Sequence, residues 1–514
     1  MLLLLPLDER PVNIRYPQAI AAIAGETLLT PPSALLPAIR TPADCEGLGA
    51  WLLERAPDAS GIIVCLELLG YGGLIAARTT DDTILQVLAR LDVLRELRAR
   101  HPALPLYAFS VITRISNADH NFEEPLYWER YGTRLYRLSQ LMHRQLRGEP
   151  VDAELVALRA AIPPELTRDF LARRHRNHTV NLAAVHMLAD GVFDLLVLSS
   201  DDTSPYGLGT REKAWVAELA ARLELGAEAS GQSSIVNRQF LMYPGADEVG
   251  SALTARLIHA MRGVSPSIAV DYAVAAGALI TAPYEDGPAQ ITVERQIAAC
   301  GARLVAHDSD LLLAVNPPVP RRSEWDQAFA DAEREERAAD LRAQAARIAA
   351  AQTRGTPVIV GDIAYPNGAD PAYLDALLEE VDITKLVAFG AWNTAGNTLG
   401  TAIAAGCAAL LADNDAARAA VERFVAHHLI EGWGYQQVVR RSVRAWLLET
   451  RGVDDPSPAD LAATTARVEA ELTGWLASIP VIASRWSIAP SSVYLPWRRL
   501  FEVDFELVSV RSSG

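Results

Sequence analysis

Phe193 to Glu212 reads FDLLVLSSDDTSPYGLGTRE. Phe193 and the run Leu195 to Leu198 are apolar, interrupted only by Asp194. A run that short and that apolar suits a strand covered on both faces, as strands of parallel sheets are. It ends in Ser199, Ser200, Asp201, Asp202 and Thr203; Pro205 and Gly207 then make a turn, and Thr210 with Lys213 opens a helix. Two adjacent carboxylates therefore stand at the carboxyl end of a buried strand, just before a helix. That edge is where α/β sheets, open or closed, bind their ligands. For a single Asp, capping of the turn by Asp202 or Thr203 is an adequate explanation. An Asp pair with Tyr206 and two glycines close behind points to a site.

The same strand-then-helix unit recurs outward in both directions. Strands are expected at Leu2–Leu7, Thr27–Thr30, Gly61–Leu68, Leu104–Val111, Phe193–Ser199, Phe240–Tyr243, Ile268–Tyr272, Arg303–Ala306, Leu311–Val315, Pro357–Val360 and Leu386–Phe389. Helical stretches fall between them, among them Asp81–Arg100, Arg211–Leu223, Glu248–Met261, Trp325–Ala350 and Ala372–Val381. Such alternation predicts an α/β protein with a mainly parallel sheet. Eight strands end in polar residues: Asp8, Glu67, Arg114, Asp201, Asp247, Asn316, Asp362 and Asn393. Eight endings are what a closed βα barrel gives, and a TIM-barrel-like closure is the expected fold; the eleven strands leave two doubly wound α/β domains meeting near Gly263 as the alternative. The expected division is an α/β catalytic region over 1–415 and a mostly helical region over 416–514.

Bulk properties narrow the partners. The chain has 514 residues, half of them hydrophobic, enough for a large core and more than one domain. Its formal charge of −16 argues against nucleic acid or an anionic membrane surface, which demand a basic face. Only two of its 47 basic residues are lysines, Lys213 and Lys385, so a Schiff-base or phosphate-binding lysine would have to be one of these. The cysteines, Cys45, Cys65, Cys300 and Cys407, show neither disulfide-scaffold nor zinc-cluster spacing. The apolar start Met1–Leu5 is too short for a signal peptide and lacks a basic beginning, and no run of 18 apolar residues occurs. The expectation is a cytoplasmic protein acting on a small molecule, with no cofactor and no bound metal in the leading reading.

Further stretches carry polar groups at strand ends. In LPLDERPVN, Asp8 and Arg10 follow the first strand; pairing with each other or with a neighbouring strand end explains them as well as a site does. In ELLGYGGLIAAR, Gly70, Gly72 and Gly73 let backbone approach a ligand, and Tyr71 offers a ring face and a hydroxyl. It lacks the GxGxxG spacing of a dinucleotide fingerprint. YPGADEV places Asp247 and Glu248 at a helix start, where carboxylates are favoured electrostatically in any case. In DIAYPNGAD, Asp362 ends a strand and Asn367-Gly368 makes a turn. GAWNTAGNTLGT, Gly390–Thr401, is the least ordinary: Asn393 and Asn397 supply donors and acceptors together, and Trp392 a flat face for a sugar ring. His175 and His178, spaced i, i+3 in a charged helical insertion over Arg134–Val180, could share a helix face as metal ligands, although such pairs more often mark a solvated helix start. Trp433, Tyr435, Trp446 and Trp475, followed by the Pro/Trp-rich tail Ser484–Phe505, suggest a terminal segment docked on the core.

LPLDERPVN, GYGGLIAAR, SSDDTSPYG, PGADEV, YPNG and GAWNTAGNTLGT, in this order along the chain, resemble the bacterial family catalogued as domain of unknown function 4127. The resemblance implies one continuous α/β unit and assigns no activity. Adjacent acidic pairs at a strand end are also similar in kind to those of retaining hexosaminidases, in which one carboxylate orients the substrate's acetamido group and its neighbour is the general acid. Two carboxylates so close cannot both ionise cheaply, and one becomes usable as an acid near neutrality. No GxSxG elbow and no P-loop is present. The reading is a glycoside hydrolase acting on a small sugar or amino-sugar conjugate, with Asp202 as acid and Asp201 as its orienting partner. Asp8, Arg10, Tyr71, Arg114, Tyr206, Asp362, Trp392, Asn393 and Asn397 are expected to bind substrate. The alternatives are a metal-dependent hydrolase or isomerase, using Asp8, Asp201, Asp202 and Asp362 with His175 or His178, and a non-catalytic sugar- or metabolite-binding protein using the Trp392–Asn397 loop.

Overall fold

The computed structural model describes residues 1–201, 203–225 and 239–510. It divides into two compact units, Met1–Glu9 with Thr27–Leu253, and Arg10–Glu26 with Thr254–Gly514. All eleven expected strands form.

The first unit is built on a parallel sheet of β1 (Leu2–Leu5), β2 (Leu28–Leu29), β3 (Gly61–Cys65), β4 (Leu106–Ile112), β5 (Leu195–Ser200) and β6 (Gln239–Pro244). Its order is β2-β1-β3-β4-β5-β6. β1, β3, β4 and β5 are buried along their whole length, which is why their sequences are apolar runs without alternation. The second unit repeats the plan with β7 (Ser267–Tyr272), β8 (Arg303–Leu304), β9 (Leu311–Asn316), β10 (Val358–Asp362) and β11 (Leu386–Gly390), again all parallel. Its order is β11-β10-β9-β7-β8. In each unit the second strand lies on one side of the first and the third on the other. Both sheets are therefore doubly wound, with the order reversing at β1/β3 and at β7/β9. A short antiparallel ribbon joins β12 (Trp486–Ile488) to β13 (Leu507–Ser509).

The barrel expectation is corrected by this topology. Among the described residues each sheet has two free edges, β2 and β6 in one and β11 and β8 in the other, so neither closes. Polar strand endings count strands but carry no information about which strands pair, and eight such endings arise here from two sheets. The helices after Asp413 pack into the core of the second sheet: Val425, Leu447 and Leu472 share one buried cluster with Val358, Val360 and Phe389.

Local differences have identifiable causes. The third strand stops at Cys65, and Leu66–Tyr71 winds into a short helix ended by Gly72 at φ +89°. A side chain on Gly72 would meet the Ala43 nitrogen at 2.7 Å, so both space and backbone angle demand glycine there. Asp81–Arg100 is two helices, Ile84–Leu91 and Val93–Arg100, the first opened by a Thr83–Gln86 capping box. The insertion forms helices Trp128–Leu146, Asp152–Ala160 and Pro164–Ala189 around a core of their own. Among the described residues no helix is long and apolar enough to cross a membrane.

Candidate functional site

In the first unit, chain reversal at β1/β3 brings Asp8 and the helix Leu66–Tyr71 to the carboxyl edge of the sheet. Asp8 is buried. Tyr71 is buried too, and the Arg176 guanidinium lies 4.9 Å from its ring centroid. Burial pushes the Tyr71 hydroxyl far above its ordinary range. The centre of the edge is Arg78, whose side chain is 3% exposed. One of its nitrogens donates to Asp201, at the end of β5. The other donates to Glu123 Oε2 at 3.0 Å and stands 3.7 Å from Glu124 Oε1. Arg114, more exposed, donates to Glu123 at 2.7 Å.

Glu124 is the unusual member. It is buried, and its Oε1 has no hydrogen-bond partner. Burial raises its carboxyl to about 7, against the pull of Arg78 and Arg114. Arg40 fixes the loop that presents it, donating to the carbonyls of Asn121, Phe122 and Glu124 at 2.6, 3.1 and 2.9 Å. A cavity of about 30 Å³ lies against Glu124, Thr113, Arg114, Tyr127 and Trp128, room for one water. Deeper in the same edge, Glu67 accepts from Ser110 Oγ at 2.7 Å and the Val111 nitrogen at 2.9 Å, and burial raises its carboxyl as well. Tyr206 packs against His143, Arg144 and Arg147 of the helical insertion. Asp202 lies outside the described residues.

The second unit holds the other expected residues. Asp362, at the end of β10, accepts from Asn316 Nδ2 at 2.9 Å, the Ala364 nitrogen at 3.2 Å and the Asp370 nitrogen at 2.6 Å. Asp370 accepts from Arg337 at 2.8 Å. Burial and then the neighbouring Asp370 raise Asp362 to about 7. Much of the Gly390–Thr401 stretch is a helix start: Thr394 caps Ala395–Ala409, accepting from the Asn397 nitrogen at 3.3 Å. Asn393 takes φ +65° at the turn before it, and the Asn397 side-chain oxygen is buried without a partner. Trp392 is packed among Val12, Tyr16 and Phe501, with its Nε1 unpartnered. Arg10 pairs with Glu502 at 3.3 Å and lies 4.3 Å from the Trp497 ring centroid.

A further cluster follows from a backbone irregularity. Helix Asp415–Leu429 runs directly into a π-helix, Ile430–Val439, a conformation frequent at functional sites. Its glycines permit close packing: a side chain on Gly432 would meet the Ala391 Cβ at 3.0 Å, and one on Gly434 would meet the Trp475 ring at 2.4 Å. His427, His428 and Glu431 stand at the junction, and each offers an atom within 4.8 Å of the others. Tyr16 hydrogen-bonds Glu431, whose carboxyl burial raises to about 8. Burial also holds His428 well below its ordinary value, hence neutral. Beside them opens a cavity of about 430 Å³, walled by Ala19, Ala22, Ala416, Ala419 and Ala420 with Arg15 and Asp504.

A family model described as a protein of unknown function, DUF4127, matches residues 2–506. The chain belongs to the DUF4127 family. No curated protein and no solved structure matches it.

In this DUF4127 chain the sequence reading located Asp8, Tyr71, Arg114 and Asp201 on one sheet edge, and Asp362, Trp392 and Asn393 at strand ends of the other. It missed Glu124 and Arg78. The signal for Glu124 was present as one more adjacent acidic pair, Glu123–Glu124, before Pro125. It also missed Tyr16, His427, His428 and Glu431; only the His-His-x-x-Glu spacing hinted at them. His175 and His178, ligands only in the metal-dependent alternative, do not form one ligand face. Both lie within helix Pro164–Ala189, where His175 is exposed while His178 is buried against Trp215.

Proposed function

We propose that this protein is a hydrolase cleaving the glycosidic bond of a small sugar or amino-sugar conjugate, with its acid–base chemistry at the carboxyl edge of the first sheet. The observation that carries the reading is the pairing of unlike carboxyls around Arg78. Glu124 keeps its proton to about 7 because it is buried, while Asp201, half-exposed, is ion-paired to the guanidinium. Two carboxyls in different environments are what general acid–base cleavage of an acetal needs: one to protonate the leaving oxygen, the other to assist the attacking water or the substrate's own nucleophile. In this reading Glu124 takes the role that the sequence alone gave to Asp202, and Asp201 remains the partner. The strongly acidic chain suits a neutral sugar and disfavours a phosphorylated one.

A screen of aryl glycosides, N-acetylhexosaminides included, tests it. Glu124→Gln should cost about 10²–10⁴ in rate, least on substrates whose leaving group needs no proton. If Glu124→Gln is harmless while Asp202→Asn is not, the acid is Asp202 and the class stands. Saturable sugar binding without turnover would favour the binding-protein alternative.

A further inference from the structure

We propose that His427, His428 and Glu431 form a binding site for one divalent transition-metal ion, open on one side to the cavity of about 430 Å³. The inference is independent of the glycosidase reading, which concerns the first unit.

His428 Nδ1 lies 3.1 Å from the Phe424 carbonyl oxygen, which can only accept, so Nδ1 carries the hydrogen. Nε2 of the neutral ring therefore bears a lone pair, and it is buried with no partner. His427 Nε2 stands 3.5 Å from Asp504 Oδ1, in ion-pair range though long for a hydrogen bond, and His427 Nδ1 is again buried and unpartnered. Asp504 is itself held by Arg15. Glu431 is hydrogen-bonded by Tyr16, yet its Oε2 is buried without a partner. Each of the three side chains thus has one atom engaged by a neighbouring group and one left bare. That is the arrangement of metal ligands, whose outer partners fix ring orientation and tautomer.

Buried polar atoms are rarely left unpaired, and a concentration of them calls for a missing partner. A cation answers all three atoms at once, releasing the proton that burial otherwise keeps on Glu431, where a water donates only two hydrogens. Two imidazoles and one carboxylate suit zinc, iron, cobalt or nickel over magnesium or calcium, which prefer oxygen. Three protein ligands leave a coordination position unfilled, as reactive metal sites do and closed structural sites do not. The rings are held in place by stacking, His428 on Phe424 at 4.0 Å and His427 on Phe505 at 4.4 Å between centroids.

The test uses the untagged full-length chain. It is stripped with a chelator, dialysed, and titrated with Zn²⁺ by calorimetry and with Co²⁺ by visible absorption. The expected result is one equivalent bound, with ligand-field bands for Co²⁺. His428→Gln and Glu431→Gln should abolish stoichiometric binding, and His186→Gln, an exposed histidine of the first unit, should leave it unchanged. Tyr16→Phe, which keeps all three ligands, should weaken binding about tenfold. No binding by the folded wild type overturns the proposal, as does binding unaffected by either ligand substitution. Should those two variants fail to fold, as judged by circular dichroism, the Tyr16→Phe affinity decides, and an unchanged value counts against the site.

Discussion

Glu124 in the first unit and Asp362 in the second are both carboxyls at the end of a parallel sheet, and burial raises both to about 7. Their surroundings differ. Both oxygens of Asp362 are satisfied, by Asn316, Ala364 and Asp370, and Arg337 supports the group through Asp370. Glu124 has a bare Oε1 beside a cavity, with an arginine at 3.7 Å that is engaged by two other carboxylates. A raised carboxyl is therefore not in itself a sign of chemistry. A saturated one ties strand to helix, and an unsaturated one has a proton to give.

That contrast yields predictions in descending order of effect. Glu124→Gln should lower turnover by about 10²–10⁴ while leaving urea unfolding close to wild type, because a neutral amide replaces an acid that is already neutral. Arg337→Met should do the reverse, since removing one partner of a buried ion pair typically costs about 3–5 kcal/mol. Unfolding midpoints should fall while turnover per folded molecule holds. Asp362→Asn should cost less, about 1–3 kcal/mol, by turning one acceptor of the Asp370 nitrogen into a donor. Equal activity losses in Glu124→Gln and Asp362→Asn would erase the distinction.

Smaller still is the effect of pH. A carboxyl whose folded value is raised keeps its proton where the unfolded chain releases it. Its contribution is complete below about 4 and is lost as pH rises through the folded value. Glu124 and Asp362 at about 7 and Glu431 at about 8 put this loss between pH 4 and 8. The buried neutral histidines His178, His259 and His428 act oppositely, removing stability as pH falls below about 6.5. In the metal-stripped protein the carboxyl effect should therefore emerge above that, as a decline in unfolding free energy from about pH 6.5 to 8, and Glu431→Gln should flatten it.

The strands were legible because burial on both faces writes an unmistakable apolar run, as in Leu2–Leu5 and Leu195–Leu198. Their pairing was not, since β1 finds β3 and β2 through the handedness of its crossovers and not through its composition. Asp8, Tyr71 and Asp201 could be placed because a strand's polar end lies at a known edge. Glu124 could not, because its loop is held by Arg40, which lies far away in sequence. The His427 cluster was hidden more deeply: Tyr16 and Asp504 come from opposite ends of the chain, and hydrophobic periodicity carries no mark of a π-helix.

The central claim is that the first sheet's edge holds a proton on Glu124 at neutral pH. Infrared difference spectra between wild type and Glu124→Gln, recorded across a pH titration, isolate that carboxyl. A protonated-carboxyl band is expected in the wild type only, disappearing around pH 7. A band already lost near pH 4 to 5, the ordinary range of a glutamate, would contradict it.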